Sequence, residues 1–160
     1  MTDAFARTAV ALALGMVLAG CGGSPTPPSA RQAQAPPEAT MQVGDMLVRA
    51  NALPTTAIGE AVAHQYGVER DPGTVMLLVG VRRDIEGDET ALPARVTATA
   101  ADLLGKRQQL EMREVRSGEF IDYVGTARVI APDTLRFDVE VTPEGGSPME
   151  LRFNRDFFPR

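Results

Sequence analysis

From Leu135 to Thr142 the chain alternates strictly between apolar and polar residues. Leu135, Phe137, Val139 and Val141 fall on one side, and Arg136, Asp138, Glu140 and Thr142 on the other. A two-residue period argues for an extended strand with one buried face, because successive side chains on a strand point to opposite sides. The pattern returns near the C-terminus, where Met149, Leu151, Phe153 and Phe157 oppose Glu150, Arg152, Asn154 and Asp156. The turn-forming run Pro143-Glu144-Gly145-Gly146-Ser147-Pro148 separates the two, so a hairpin is expected there.

Upstream segments read the same way. Gln109–Arg116 and Glu119–Val129 flank Ser117-Gly118, a second hairpin signal, with Leu110, Met112, Ile121, Tyr123, Ala127 and Val129 facing inward. Gly125 inside this run predicts a bulge or a close approach of another chain segment. Thr74–Arg82 is apolar almost without interruption (Val75, Met76, Leu77, Leu78, Val79), as expected of a central strand covered on both faces. Gln42–Asn51, with Met46, Val48 and Ala50 on one face, and Pro93–Ala100 are weaker strands.

One short helix interrupts the series. Ile58, Val62 and Tyr66 fall at i, i+4 and i+8, Gly67 supplies a C-terminal cap, and Thr55 or Thr56 is placed to cap the start. About seven strands joined by tight turns predict an all-β fold, an immunoglobulin-like antiparallel β-sandwich with one short helix; a small β-barrel is the alternative. Trp is absent and aromatics are few, so the core must be mainly aliphatic.

Cys21 is the only cysteine in the 160 residues, which excludes an intrachain disulfide and a cysteine-based zinc site. It closes an apolar run, Thr8–Leu18, too short to span a bilayer. Leu18-Ala19-Gly20-Cys21 resembles the lipobox of bacterial lipoprotein signal peptides. The resemblance implies removal of residues 1–20 and lipid attachment at Cys21. Gly22, at the second mature position, implies sorting to the outer membrane, on its periplasmic face. One acyl chain anchors only marginally and two or more anchor firmly. Residues 21–40 carry five prolines (Pro25, Pro27, Pro28, Pro36, Pro37) among small and polar residues and read as a disordered tether, leaving 41–160 as the folded domain.

Across that domain the sequence resembles the bacterial family called domain of unknown function 4426. The matching positions are Asn51-Ala52, Thr56, Tyr66-Gly67, Arg70, Leu103-Leu104-Gly105, Leu110, Glu114, Tyr123, Leu135-Arg136-Phe137-Asp138, Leu151, Phe153 and Phe157. Gly59-Glu60 and Asp122 depart from the pattern, which favours a Pro-Glu helix start and an aromatic at those places. The resemblance implies a small all-β envelope protein and no assigned activity.

No constellation for catalysis stands out, and the chain is read as not an enzyme. Ser117 and Ser147 lie in turns, and no Gly-x-Ser-x-Gly elbow or phosphate-binding glycine loop is present. His64, the one histidine, lies off the apolar stripe of the helix. Together with seven methionines it invites a copper reading, but Met46, Met112 and Met149 sit at inward strand positions, where packing accounts for them. The Asp84–Glu89 run does not match a calcium loop. No cofactor or metal is therefore expected. A formal charge of −5, with no basic block, gives nucleic acid no electrostatic footprint.

The polar residues among the resemblance positions, Asn51, Thr56, Tyr66, Arg70 and Glu114, form a possible interaction patch around the helix. Asn51 and Thr56 are expected to cap the turn into the helix, and Arg70 and Glu114 to pair. The functional expectation is a lipid-anchored, periplasm-facing envelope protein. It would act as a non-catalytic interaction module, bound to the membrane through its N-terminal lipid and to an envelope protein partner. The alternative is a small-ligand binding lipoprotein, using the sandwich interior or the gap beneath the helix.

Overall fold

Alternating residues build strands only where a second layer covers their apolar side, and the computed structural model, described for residues 37–159, supplies that layer. The run ending at Leu18, Cys21 and the proline-rich segment up to Pro36 lie outside the described residues. Ten strands follow in order: β1 (Ala39–Val43), β2 (Met46–Pro54), β3 (Thr74–Ile85), β4 (Asp88–Ala91), β5 (Ala94–Ala101), β6 (Arg107–Leu110), β7 (Arg113–Ser117), β8 (Phe120–Arg128), β9 (Asp133–Pro143) and β10 (Met149–Phe157). A 3-10 turn (Thr55–Ala57) and the helix α1 (Glu60–Gln65) lie between β2 and β3.

The strands form two antiparallel sheets packed as a β-sandwich. The larger runs β1-β2-β3-β8-β7, with β4 continuing along β3 beyond the end of β8; the smaller runs β10-β9-β5-β6. Neither sheet closes into a barrel among the described residues. Between the sheets, Val48, Ala50, Val75, Leu77, Val79, Val81 and Tyr123 meet Val96, Ala98, Ala100, Leu135, Phe137, Val139 and Val141, all buried. Phe137 and Phe153 stack with ring centroids 5.1 Å apart. The interior is thus filled mainly by aliphatic side chains, with Tyr123, Phe137, Phe153 and Phe157 as its aromatics, as the composition requires.

Both expected hairpins are present, Ser117 pairing with Phe120 and Met149 with Val141. The strand count exceeds the sequence expectation in three places. The Gln42–Asn51 segment is split at Gly44 into β1 and β2, β4 folds back on β3, and Gln109–Arg116 is not one strand. Its first half, β6, belongs to the smaller sheet and its second half, β7, to the larger. The chain changes layers between Leu110 and Arg113. Gly125 marks this crossing: the β3–β8 register runs through it without a bulge, and a Cβ there would lie 2.5 Å from Met112 Sδ and 3.2 Å from Leu110 Cβ.

The helix differs from its expected form. Ile58 and Tyr66 pack against Val68, Met76 and Val124 on the outer side of the larger sheet, but Val62 is exposed and Ala63 is buried in its place. With barely two turns available, the sheet selects the side of α1 that presents the small alanine. Gly59 stands at the N-cap with no side-chain cap, so the capping roles expected of Asn51, Thr55 and Thr56 are not used. The C-terminal expectation is met. Gly67, at φ +54°, donates to the His64 carbonyl at 2.9 Å, and Val68 N–H donates to Ala63 at 2.8 Å, a Schellman cap. His64 is exposed.

Candidate functional site

The outer face of the larger sheet carries the densest group of polar side chains in contact with the helical segment. β3 is apolar on both sides because this segment lies over Met76 and Leu78, with Leu53, Val115 and Val124 beside them. Thr55 fixes the segment to itself. It is fully buried, its hydroxyl donates to the Asp71 carbonyl at 2.9 Å, and it accepts from the Asp71 N–H at 2.8 Å. A buried hydroxyl that satisfies two backbone groups locks sixteen residues into one closed excursion.

Beyond this latch, Arg70 donates to the Thr56 carbonyl at 3.1 Å rather than to Glu114. The expected Arg70–Glu114 pair is therefore absent. Glu114 instead pairs with Arg116 at 2.6 Å and accepts from the Tyr123 hydroxyl at 3.3 Å, because β7 turns its side chain toward the rim between the sheets. Tyr123 Oη also accepts from Ala94 N–H of the smaller sheet at 2.7 Å. Burial, first, and the Glu114 charge both push the Tyr123 hydroxyl pKa up.

Tyr66 faces a different network. Its hydroxyl donates to Asp122 Oδ2 at 3.1 Å, while Asp122 Oδ1 accepts from Arg82 at 2.8 Å. Arg82 also donates to the Ile121 carbonyl at 2.7 Å, a ladder acceptor left open where β8 ends its pairing with β3. Burial, then the Asp122 carboxylate, raises the Tyr66 pKa. Asp122 thus exchanges the aromatic favoured by the family pattern for a carboxylate that ties α1 to the sheet. Asn51 stands apart from all of these; its side-chain oxygen lies 3.5 Å from Arg155. The five patch residues therefore divide among several local networks, of which only Thr56 and Arg70 are in direct contact.

Two residues outside the sequence reading matter as much. Asp71 accepts from Thr74, Gly73 N–H and Arg128 at 2.8–3.0 Å. The Thr74 hydrogen bond, foremost, holds its carboxyl below the usual range. Arg155 occupies the inward phase of β10, between Phe153 and Phe157, and donates to the Pro37 carbonyl at 2.7 Å. An arginine in the apolar phase of a strand was a signal open to sequence reading.

Beside α1 lies an open groove of about 580 Å³, lined by Gly67, Glu69, Glu111, Arg113, Thr126 and Arg128 among others. Among the described residues there is no group of three or more His, Cys, Asp or Glu arranged to hold a metal.

The fold is similar to that of a DUF4426 family protein from Pseudomonas aeruginosa PAO1, at 27% identity and a TM-score of 0.66, covering 77% of this chain and 96% of that one. It also resembles FetP of uropathogenic Escherichia coli strain F11, as isolated after recombinant expression in the periplasm, at 11% identity and TM-score 0.57 over 76% and 95% of the chains. A copper-bound variant of FetP from the same strain is comparable, at 11% identity and TM-score 0.56 over 77% and 97%. No curated protein matches the sequence. Residues 40–160 match the model of the domain of unknown function DUF4426, and the chain belongs to that family.

Proposed function

We propose that this chain is a lipid-anchored, periplasm-facing envelope protein, held at the outer membrane through Cys21, whose sandwich acts as a non-catalytic interaction module. The observation that carries this reading is the Thr55–Asp71 latch beneath an open surface. A segment pinned at both ends presents Glu69, Arg70 and the neighbouring Arg113 at little further ordering cost, which favours recognition of a partner. The interior between the sheets is filled, which leaves the surface for binding. FetP, expressed in the periplasm, shares the fold, in keeping with the compartment implied by the lipobox.

Crosslinking in cells followed by affinity capture tests the module. The wild-type chain should retain a defined protein, and Glu69→Arg with Arg113→Glu should release it. Failure of the wild type to retain any protein overturns the reading. The anchor is tested separately: Cys21→Ala should abolish labelling by a fatty-acid probe, and persistent labelling overturns the lipobox.

The groove beside α1 supports a second reading, a small-ligand site with charged walls. A ligand that raises the unfolding midpoint of the wild type but not of Arg113→Glu would favour this reading.

A further inference from the structure

One end of the sandwich is apolar and open. Ile130 is 88% exposed and Phe158 70% exposed. With Pro54, Pro72, Ala131 and Pro159 they line a groove of about 440 Å³ that both sheets contribute to. Exposed bulky apolar side chains grouped in this way mark a surface that meets something other than water.

The path of the chain identifies what that is. β1 pairs Ala39 with Ala50, so the chain running back from Ala39 heads along β2 toward Pro54, a wall of the groove. Arg155 holds the Pro37 carbonyl at 2.7 Å, and Phe157, two residues on, is another wall. The chain thus enters the domain at the apolar end. The Gly44, Glu86-Gly87 and Gly145 turns lie at the other. Fifteen residues, Gly22 to Pro36, separate Pro37 from Cys21. Even fully extended they reach at most about 50 Å.

We infer that the end bearing Ile130 and Phe158 rests on the lipid bilayer, its two apolar side chains entering the headgroup boundary. The inference rests on the proposed anchor at Cys21. A chain tethered at this end meets lipid with this end, and Ile and Phe gain by leaving water there. The module surface around α1 is then held at a fixed attitude to the membrane instead of tumbling on a string.

Cys21 is the only thiol, so the mature chain can be coupled through it to a maleimide-bearing phospholipid in phosphatidylethanolamine–phosphatidylglycerol vesicles containing nitroxide-labelled lipid. The Ile130 methyl and Phe158 ring signals should broaden strongly, and the Ile85 methyl, 58% exposed at the opposite end, should not. In the Ile130→Ser, Phe158→Ser chain the docking equilibrium constant should fall about tenfold for each side chain removed, and the broadening at Ala131 should be largely lost. Equal broadening at Ile85 and Ile130 overturns the inference while leaving the anchor intact. So does absence of broadening together with self-association lost in Ile130→Ser, which assigns the groove to a second copy. Absence of fatty-acid labelling of Cys21 in cells overturns the anchor itself, and the orientation with it.

Discussion

Gly125 and Met112 touch where the chain changes layers: a Cβ on Gly125 would stand 2.5 Å from the Met112 sulfur. The thioether fills the space that a side chain at position 125 would need. Gly125→Ala should therefore cost about 1–3 kcal/mol through overpacking. Met112→Ala should cost stability alone yet recover part of the loss in the double variant, because it vacates the same space. Denaturant midpoints of the four chains give the coupling, and strict additivity would contradict the contact.

Thr55 is the next test. Its hydroxyl serves both the N–H and the carbonyl of Asp71. Thr55→Val keeps the shape and strands both groups, so a loss of about 1–3 kcal/mol is expected. Thr55→Ser should retain most of the stability. Hydrogen exchange at Asp71 N–H is the local readout, and unchanged protection in Thr55→Val would count against the latch.

Tyr123 joins the sheets through Ala94 N–H. Tyr123→Phe removes that acceptor and should destabilise by about 1–2 kcal/mol. The variant should unfold at a lower temperature with the same denaturant slope, since the surface exposed on unfolding hardly changes.

Stability should fall at both pH extremes, for separable reasons. The Asp71 and Glu89 carboxyls titrate below their ordinary values in the folded chain, held down first by Thr74 and by Arg49 respectively. A depressed folded pKa means that the unfolded chain binds protons first, so their contribution is present above pH 4.5 and is lost as the pH falls through the folded values. Tyr66 and Tyr123 are shifted upward, first by burial, so their contribution is present below pH 10.0 and is lost above it. Unfolding midpoints between pH 2 and 11 should show both limbs. Asp71→Asn should flatten the acid limb and Tyr66→Phe the alkaline one.

The sandwich was legible in the sequence wherever a strand keeps one face dry, as in Leu135–Thr142 and Thr74–Arg82. It was hidden where alternation conceals a change of partner. Leu110 and Met112 face the core, and Val115 then packs against Val68, Met76 and Val124 on the outer side of the larger sheet. The apolar residues therefore switch from even to odd positions between Met112 and Val115, the one trace of the layer change. The helix misled because two turns carry too little periodicity to decide between Val62 and Ala63. The polar patch was legible as a set of residue types but not as partners. Arg70 and Glu114 are drawn apart by backbone acceptors and a tyrosine hydroxyl that no spacing reveals.

The bond between Arg155 and Pro37 spans 118 residues, and its consequence concerns the order in which the molecule comes into being. Strand β10 is the edge of the smaller sheet nearest β1, so the two extremities of the described domain meet across one side of the sandwich. A nascent chain that has reached only Pro148 lacks the Phe153 ring that stacks on Phe137 and the Leu151 and Phe157 side chains that complete the core. Closure waits for the most distal strand, and pairings this remote in sequence make folding slow. Until β10 docks, the domain exposes a hydrophobic flank, so a chain ending at Pro148 should aggregate where the full chain folds.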